Sequence, residues 1–586
     1  MIPPVAQSAP PFLNPGHQEG THIGYTTELE PMLFDMGHGS IPNTPGARYQ
    51  RSDERNSFLV SDMENTRLAE AASITLPLIE DLVGSHGRLL MQDFQIIVNR
   101  NFPIIHDGFF QAYHTRQQHL IDPALLSAAY LIAFCTHLTS TQESVMSYQK
   151  SSKLEEIAIQ CFGASLLKPN LSTIQAGLLL MQRPSIDSKT LHSQLVGVAY
   201  ELGLHLDSST WSISGIERSL RKRLAWALYM QDKWCSLVHG RPSSISHDNW
   251  AVSDMCDDDY ACENMDMYDA KAREEIRRGR ELFHQLVMLT RILSMVLDTF
   301  YTLKAMHEID QAGQGGVRML LERAKPVQIR LKEWFAQLPK TLKMDEQLTG
   351  KPTTTGYLHL AYFATEITLH RCIVRSLQTP NADPYLSHVC RSAAKTRLIS
   401  AMDFVNRLRP EHLSAFWYFP SRVSFALVGT FGSLLLATAP CQEEAEFYHT
   451  RLAEYRWTLS VSSRSAEFLT YAIQSLDSHE SLLQNLPPKP STLELAALQP
   501  PPALVPSAAA PALSDHSSRD ASSPSDRSMA DAAVFEGYPN DAGPTGPEER
   551  TTSGLMSPST STSDGSAGYE AFVHTTGGMG HWTSQG

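Results

Sequence analysis

From about residue 89 to residue 485 the chain repeats one pattern. Segments of roughly 12–25 residues carry apolar side chains at i, i+3 or i+4, and i+7, the spacing that lays a stripe along a helix. Leu191, Leu195, Val198 and Leu202 mark one such face. Breakers separate the segments: Lys168-Pro169-Asn170, Arg183-Pro184, Gly313 to Gly316, Leu338-Pro339, Thr349 to Thr355, Thr379-Pro380-Asn381 and Ala439-Pro440. Pro103 interrupts an apolar run, and Pro123 stands where a helix would start, since the first turn does not need its N–H. Alternating β-branched runs bounded by tight-turn pairs are absent, so no sheet of consequence is expected. The fold class is therefore all-α, with a dozen or more helices around a large core.

The flanks lack this pattern. Residues 1–60 are rich in Pro, Gly, His and Asn, and helical text begins near Glu64. Residues 1–85 are expected to form a disordered or linker segment, and residues 86–485 the helical domain. Residues 486–586 turn to Pro, Ala and Ser and cannot build a core. Phe535, Tyr538, Tyr569 and Phe572 lie among acids there, the composition of an activation segment as well as of a solvated tail.

One helix is legible in detail. Ser214-Gly215-Ile216-Glu217 fits a capping box, with the Ser hydroxyl on the Glu217 amide and the Glu reaching back. Leu220, Leu224 and Leu228 line one face; Trp226, Met230, Trp234 and Leu237 line another, so burial from two sides is expected. Gly240 suits a left-handed position after the last turn, and Pro242 prevents continuation. Asp232 shares a stripe with Ala225, Leu228, Tyr229 and Ser236. A buried carboxylate needs a partner, and Arg241 or one of the Arg221–Arg223 group is the expected one.

Charge changes the functional picture. Of 62 acids and 48 bases overall, residues 1–85 hold 11 and 4, and residues 486–586 hold 11 and 4, leaving 40 of each in the middle. A protein that reads DNA unaided usually presents a basic stripe, because phosphate neutralisation supplies most of the affinity. The densest basic run, Arg218, Arg221, Lys222 and Arg223, falls inside the patterned helix. The eight cysteines include no C-x-x-C pair and read as free intracellular thiols. The N-terminal residues have neither the basic nor the apolar region of a secretory signal. The longest apolar run, Val423 to Ala439, is interrupted by Ser and Thr and reads as a core helix, not a membrane span.

The stretch from Ala199 to Pro242 resembles the signature of the fungal-specific transcription factor domain, the middle homology region of zinc binuclear cluster regulators. The resemblance rests on Ala199, Leu202, Gly203, Leu204, His205, Asp207, Glu217, Arg218, Arg221, Arg223, Trp226, Asp232, Ser236, Gly240, Arg241, Pro242 and Ile245. Ala225 departs from it, where the family usually has a first tryptophan. Phe102-Pro103-Ile104-Ile105-His106 with Phe109 and Phe110 is similar to the element that opens the domain. The MQDKW…HGRPS wording and RWTLSVSSRSAEFL are similar to the co-activator branch of fungal nitrogen and GABA catabolism. The resemblance implies structural roles for Gly203, His205, Glu217, Arg221, Arg223, Trp226, Asp232, Gly240, Arg241 and Pro242, with no catalytic residue. It further implies a nuclear transcription regulator.

Other chemistry finds little support. The spacing of His239, His247, Cys256 and Cys262 is not one that zinc modules use. The family's cluster needs six cysteines in two C-x-x-C pairs, so zinc would enter only with a cluster outside this sequence. Nucleophile-elbow, P-loop and H-E-x-x-H motifs are absent. The glycines at 313, 315 and 316 follow no strand and read as a linker, and Asp257 to Asp259 as a solvated run. The expected function is regulation through partners: other transcription factors or co-regulators, or a homo- or heterodimer. DNA would be reached only indirectly, and no membrane or cofactor is involved. Alternatives are a truncated zinc-cluster factor, a helical scaffold outside transcription, and a sensor that binds a small effector in the helical domain.

Overall fold

The computed structural model describes residues 20–27, 29–30, 47–61, 66–117, 120–138, 145–260, 268–344, 352–378, 383–484 and 486–494. The expected activation segment and Cys262 lie outside these residues. The described chain is mostly helical. Helices α1 (Thr66–Val83) and α2 (Gly87–Asp93) precede a π-helical turn, Phe94–Asn99. Then come α3 (Asp107–His114), α4 (Pro123–Leu138), α5 (Val145–Ser165), α6 (Leu171–Leu180), α7 (Ser188–Glu201) and α8 (Gly215–His239). Helices α9 (Ala270–Phe300), α10 (Leu303–Gln311), α11 (Gly316–Ala336), α12 (Thr355–Ser376) and α13 (Pro384–Asn406) follow. Last are α14 (Pro410–Leu413), α15 (Ser421–Ala437), α16 (Gln442–Ser462) and α17 (Thr470–Leu483).

One continuous apolar core runs from Leu76 in α1 to Leu476 in α17. In the first half, α4 packs on α5 and α6, and α8 packs on α6, α7 and α9. In the second, α12 packs on α9, α11, α13 and α15, and α15 on α16 and α17. Side chains of α12 from Thr355 to His370 are buried throughout, which fits its place between several helices. The run containing Val423 becomes α15, with Phe425, Val428, Phe431 and Leu435 fully enclosed. Helix α9 is long and apolar enough to cross a membrane by length and composition. Its apolar half, including Leu286, Leu289, Leu293 and Val296, lies in the core.

The N-terminal segment corrects two expectations. Strands β1 (Thr21–His22), β2 (Ala47–Arg51) and β3 (Ser57–Ser61) form an antiparallel sheet in the order β1-β3-β2. A sheet is therefore present, within a segment read as linker. Asp53 makes the hairpin turn, its Oδ1 accepting from the amides of Arg55 (2.8 Å) and Asn56 (2.7 Å). The sheet is tied to the helices: Phe58 meets Trp211 edge to face at 5.1 Å, and His22 meets His205 at 5.4 Å. The burial of Phe58 and Val60 on that surface supplies the order that three short strands lack alone.

Candidate functional site

Helix α8 begins and ends where its sequence places the boundaries. The Ser214 hydroxyl accepts from the Glu217 amide at 3.1 Å. The reciprocal half of the capping box does not form, because the Glu217 carboxylate turns to Arg221, Nε to Oε1 3.0 Å. Gly240 has φ +62°, the left-handed conformation that ends the helix, and its N–H donates to the Ser236 carbonyl.

The motif residues fall into three clusters along α8. At the start, Arg221 Nη1 donates to the Leu202 carbonyl (2.9 Å) and its guanidinium lies over Trp211 at 5.4 Å. That fastens α8 to the turn after α7, where Gly203 has φ +67°. A Cβ at Gly203 would come 2.8 Å from Phe58 Cζ, so this glycine serves both the turn and the docking of the sheet. His205 sits between Tyr200 and His22; burial and the nearby His22 pull its imidazole down to about 4.

At the far end, Asp232 and Lys233 are buried, with side-chain exposures of 0% and 1%. Here the expected partner is corrected. Asp232 pairs with Lys233 (Nζ to Oδ2 3.3 Å), not with Arg241 or the Arg221–Arg223 group. It also accepts from the amides of Ser244 (2.8 Å) and Ile245 (3.3 Å) and from the Ser243 hydroxyl. His192 Nε2 lies 3.2 Å away. The Lys233 ammonium donates to Ser243 Oγ and the Ile245 carbonyl, and lies 4.9 Å from the Tyr229 ring centre. Burial alone would raise the Asp232 carboxyl, but His192, Lys233 and Ser243 outweigh it and hold the group below its ordinary value. Arg221 could not reach: eleven residues of helix separate the two by roughly 16 Å. Arg241 and Pro242 are exposed, and Arg241 contributes its carbonyl, which accepts from Ser236 Oγ at 2.5 Å. The Gly240-Arg241-Pro242 turn thus folds the following loop back onto Asp232. Lys233, His192 and Ser243 were not singled out in the sequence. Neighbours in a helix rarely face each other, so Lys233 gave no pairing signal.

The third cluster lies between. Trp226 donates its indole N–H to the Ser253 carbonyl at 3.0 Å under Arg291 at 5.5 Å. Arg223, 7% exposed, donates to the Pro103 carbonyl at 2.6 Å. It thereby joins α8 to the Phe102–His106 element, whose His106 caps α3 by accepting from the Gly108 amide at 2.9 Å. Two cavities of about 260 and 460 Å³ flank this junction, and Arg223 and His106 line both. Burial is the main cause that brings the Arg223 guanidinium down to about 10. Burial and the Arg223 charge bring His106 down to about 4.

The basic run is consumed internally. Arg218 Nη1 donates to the carbonyls of Trp211 and Ile213 at 2.9 Å each, and Lys222 pairs with Asp259 at 3.1 Å. With Arg221 and Arg223 bound as described, none of the four stands out as a phosphate contact. The Asp259 of the acidic run is thereby partnered and buried, contrary to the solvated expectation. Among the described residues, no group of three or more His, Cys, Asp or Glu side chains is placed to hold a metal.

Residues 91–342 match the sequence profile described as the fungal specific transcription factor domain. Those residues belong to that family. It is a family of transcription regulators rather than of enzymes. The chain is 33% identical over 457 residues to "Transcriptional activator protein DAL81" of Saccharomyces cerevisiae, across 72% of this chain and 46% of that protein. It is 26% identical over 311 residues to "Transcriptional activator protein acu-15" of Neurospora crassa, covering 50% of this chain and 32% of that one. An "ABC-transporter-regulating transcription factor" of Aspergillus fumigatus is 23% identical over 383 residues, 59% and 41% of the respective chains. The chain thus spans less than half the length of each of these relatives. No solved structure matches it.

Proposed function

We propose that this chain activates transcription in the nucleus through protein partners held by its helical domain. The DNA-reading module is then supplied by a partner, or by a segment outside these 586 residues, such as a zinc cluster. The observation that carries this reading is the internal use of Arg218, Arg221, Lys222 and Arg223 in a domain of balanced charge. That arrangement leaves little for the electrostatic grip on phosphates that unaided DNA binding requires. Activation follows the relatives named as activators.

A partner needs an apolar surface to cover. Trp457 and Val461, 69% and 48% exposed, lie one turn apart on α16, and exposed tryptophan is the residue type that most often anchors an interface. Fusing the full chain to a heterologous DNA-binding domain tests the proposal. Reporter expression should rise well above that of the DNA-binding domain alone. A well-expressed nuclear fusion that leaves the reporter at background would overturn it.

A further inference from the structure

Arg223 is a buried cation that no acid among the described residues neutralises. Its guanidinium has two hydrogen-bond partners, the carbonyls of Pro103 and Ser219 at 2.6 and 3.4 Å. No carboxylate among the described residues lies within ion-pair distance of it. The acids nearby are Asp107 and Asp259, which act on it only through space, and Asp259 is committed to Lys222 at 3.1 Å. Buried charges are ordinarily paired, because desolvating one costs several kcal/mol. Here the uncommitted edge of the guanidinium faces the two cavities that it lines.

The smaller cavity, about 260 Å³, sets Arg223 and Arg280 beside aliphatic side chains, with the Asp107 carboxylate and the Gln92, Gln95 and Asn99 amides also on its wall. Arg280 reaches it from α9, its guanidinium 5.7 Å from the Tyr260 ring centre and without an ion pair among the described residues. The π-helical turn Phe94–Asn99 contributes Gln95, Ile96 and Asn99 to the wall. Turns of this kind recur at functional sites because they displace side chains from the regular helical face. Ile276 completes an aliphatic patch. The volume falls just below the ~300 Å³ at which sites for drug-sized ligands begin, which selects a small molecule.

We propose that this cavity binds a small organic carboxylate, with the carboxylate on Arg223 and Arg280 and the carbon body against Ile96 and Ile276. A guanidinium fork matches a carboxylate edge to edge. Guanidinium groups also bind tetrahedral phosphate, and a sulfate control separates the two anion shapes. The ligand would bridge α8, α9 and the turn before α3, so occupancy would stiffen the contact between them. The site stands on this geometry alone and not on the regulatory reading, and the two can fail separately.

The full chain, purified, is titrated by calorimetry and thermal shift with acetate, succinate and benzoate. The matching amides and sulfate serve as controls, each up to about 10 mM, well beyond a Kd of about 1 mM. At least one carboxylate should bind saturably and raise Tm, while its amide and sulfate do not. Arg280→Gln should weaken that binding about tenfold or more, the scale of a hydrogen bond to a charged group. Ile96→Trp, at a side chain 39% exposed, should block it by filling the mouth of the cavity. Arg223→Met should abolish binding and also lower Tm without ligand, since it removes the donor to the Pro103 carbonyl, so Arg280→Gln and Ile96→Trp decide the test. Failure of all three carboxylates, equal response to the amides or to sulfate, or binding untouched by both Arg280→Gln and Ile96→Trp would overturn the proposal.

Discussion

Replacing Asp232 with Asn removes one charge from the buried pair and leaves its shape. The Lys233 ammonium, 1% exposed, would keep only Ser243 Oγ, the Ile245 carbonyl and the Tyr229 ring. Breaking a buried pair by removing one partner costs about 3–5 kcal/mol, chiefly for the charge left behind. The amide also cannot serve all the donors that the carboxylate serves, among them the Ser244 and Ile245 amides. The loop after Gly240 should therefore loosen. At about 2 °C per kcal/mol for a large domain, Tm should fall roughly 6–10 °C. Lys233→Met should cost less than Asp232→Asn, because Asp232 retains the two amides, Ser243 and His192. Asp232→Asn with Lys233→Met removes both charges and should be more stable than the sum of the single effects, by about 1–3 kcal/mol of coupling. Thermal shift and denaturant unfolding of the four proteins give the cycle. Additive single effects, or a fall of under about 1 kcal/mol in Asp232→Asn, would refute the assignment of this pair as the lock on the loop.

Further outcomes follow from the same geometry. Gly240→Ala should cost about 1–2 kcal/mol, the penalty of a left-handed residue alone, because nothing lies within 4 Å of the added Cβ. Gly203→Ala adds a clash with Phe58 at 2.8 Å, so it should cost more and speed proteolysis at the Asp53–Asn56 turn; equal costs would refute the docking role. Stability should fall as pH drops from 6.5, where an exposed histidine titrates, toward the values of about 4 for His106 and about 3 for His370. In that window the unfolded chain binds protons that the folded one refuses, at up to about 1.4 kcal/mol per pH unit for each histidine. Asp232, held below 3.8, contributes above that value and loses its contribution as pH falls through its folded value. A Tm independent of pH from 7 to 4 would refute the histidine effect, and an Asp232→Asn penalty that persists unchanged below about pH 3 would refute that of Asp232. Trp457→Asp should leave Tm within a few degrees yet lower reporter activation by the tethered chain, and unchanged activation would remove α16 as the partner surface.

The helical architecture was legible because its signals are local. The i, i+3, i+4, i+7 stripe, the Ser214 cap and the Gly240-Pro242 stop each act within a few residues, and α8 has the bounds they imply. Partners of buried charges were not legible, because they depend on how loops return. Asp232 is met by a loop 11–13 residues later and by His192 from α7, neither of which periodicity can encode. The sheet was missed because its strands are short and ordered by Trp211 and His205, about 150 residues further on. In hindsight the short apolar run Phe58-Leu59-Val60 after an Asp53–Asn56 turn carried that signal. The cavity at Arg223 had no sequence signal beyond the arginine itself, since its walls come from α2, α8 and α9 neighbourhoods far apart in the chain.

The central claim is that this chain regulates transcription without gripping DNA itself. Fluorescence anisotropy of the purified full chain with duplex DNA, across 50 to 200 mM salt, tests it most directly. The account predicts binding no tighter than the ~10⁻⁴–10⁻⁶ M of non-specific contacts, with a shallow dependence on salt. Sequence-selective binding near ~10⁻⁸ M or tighter, with a steep salt slope, would contradict it.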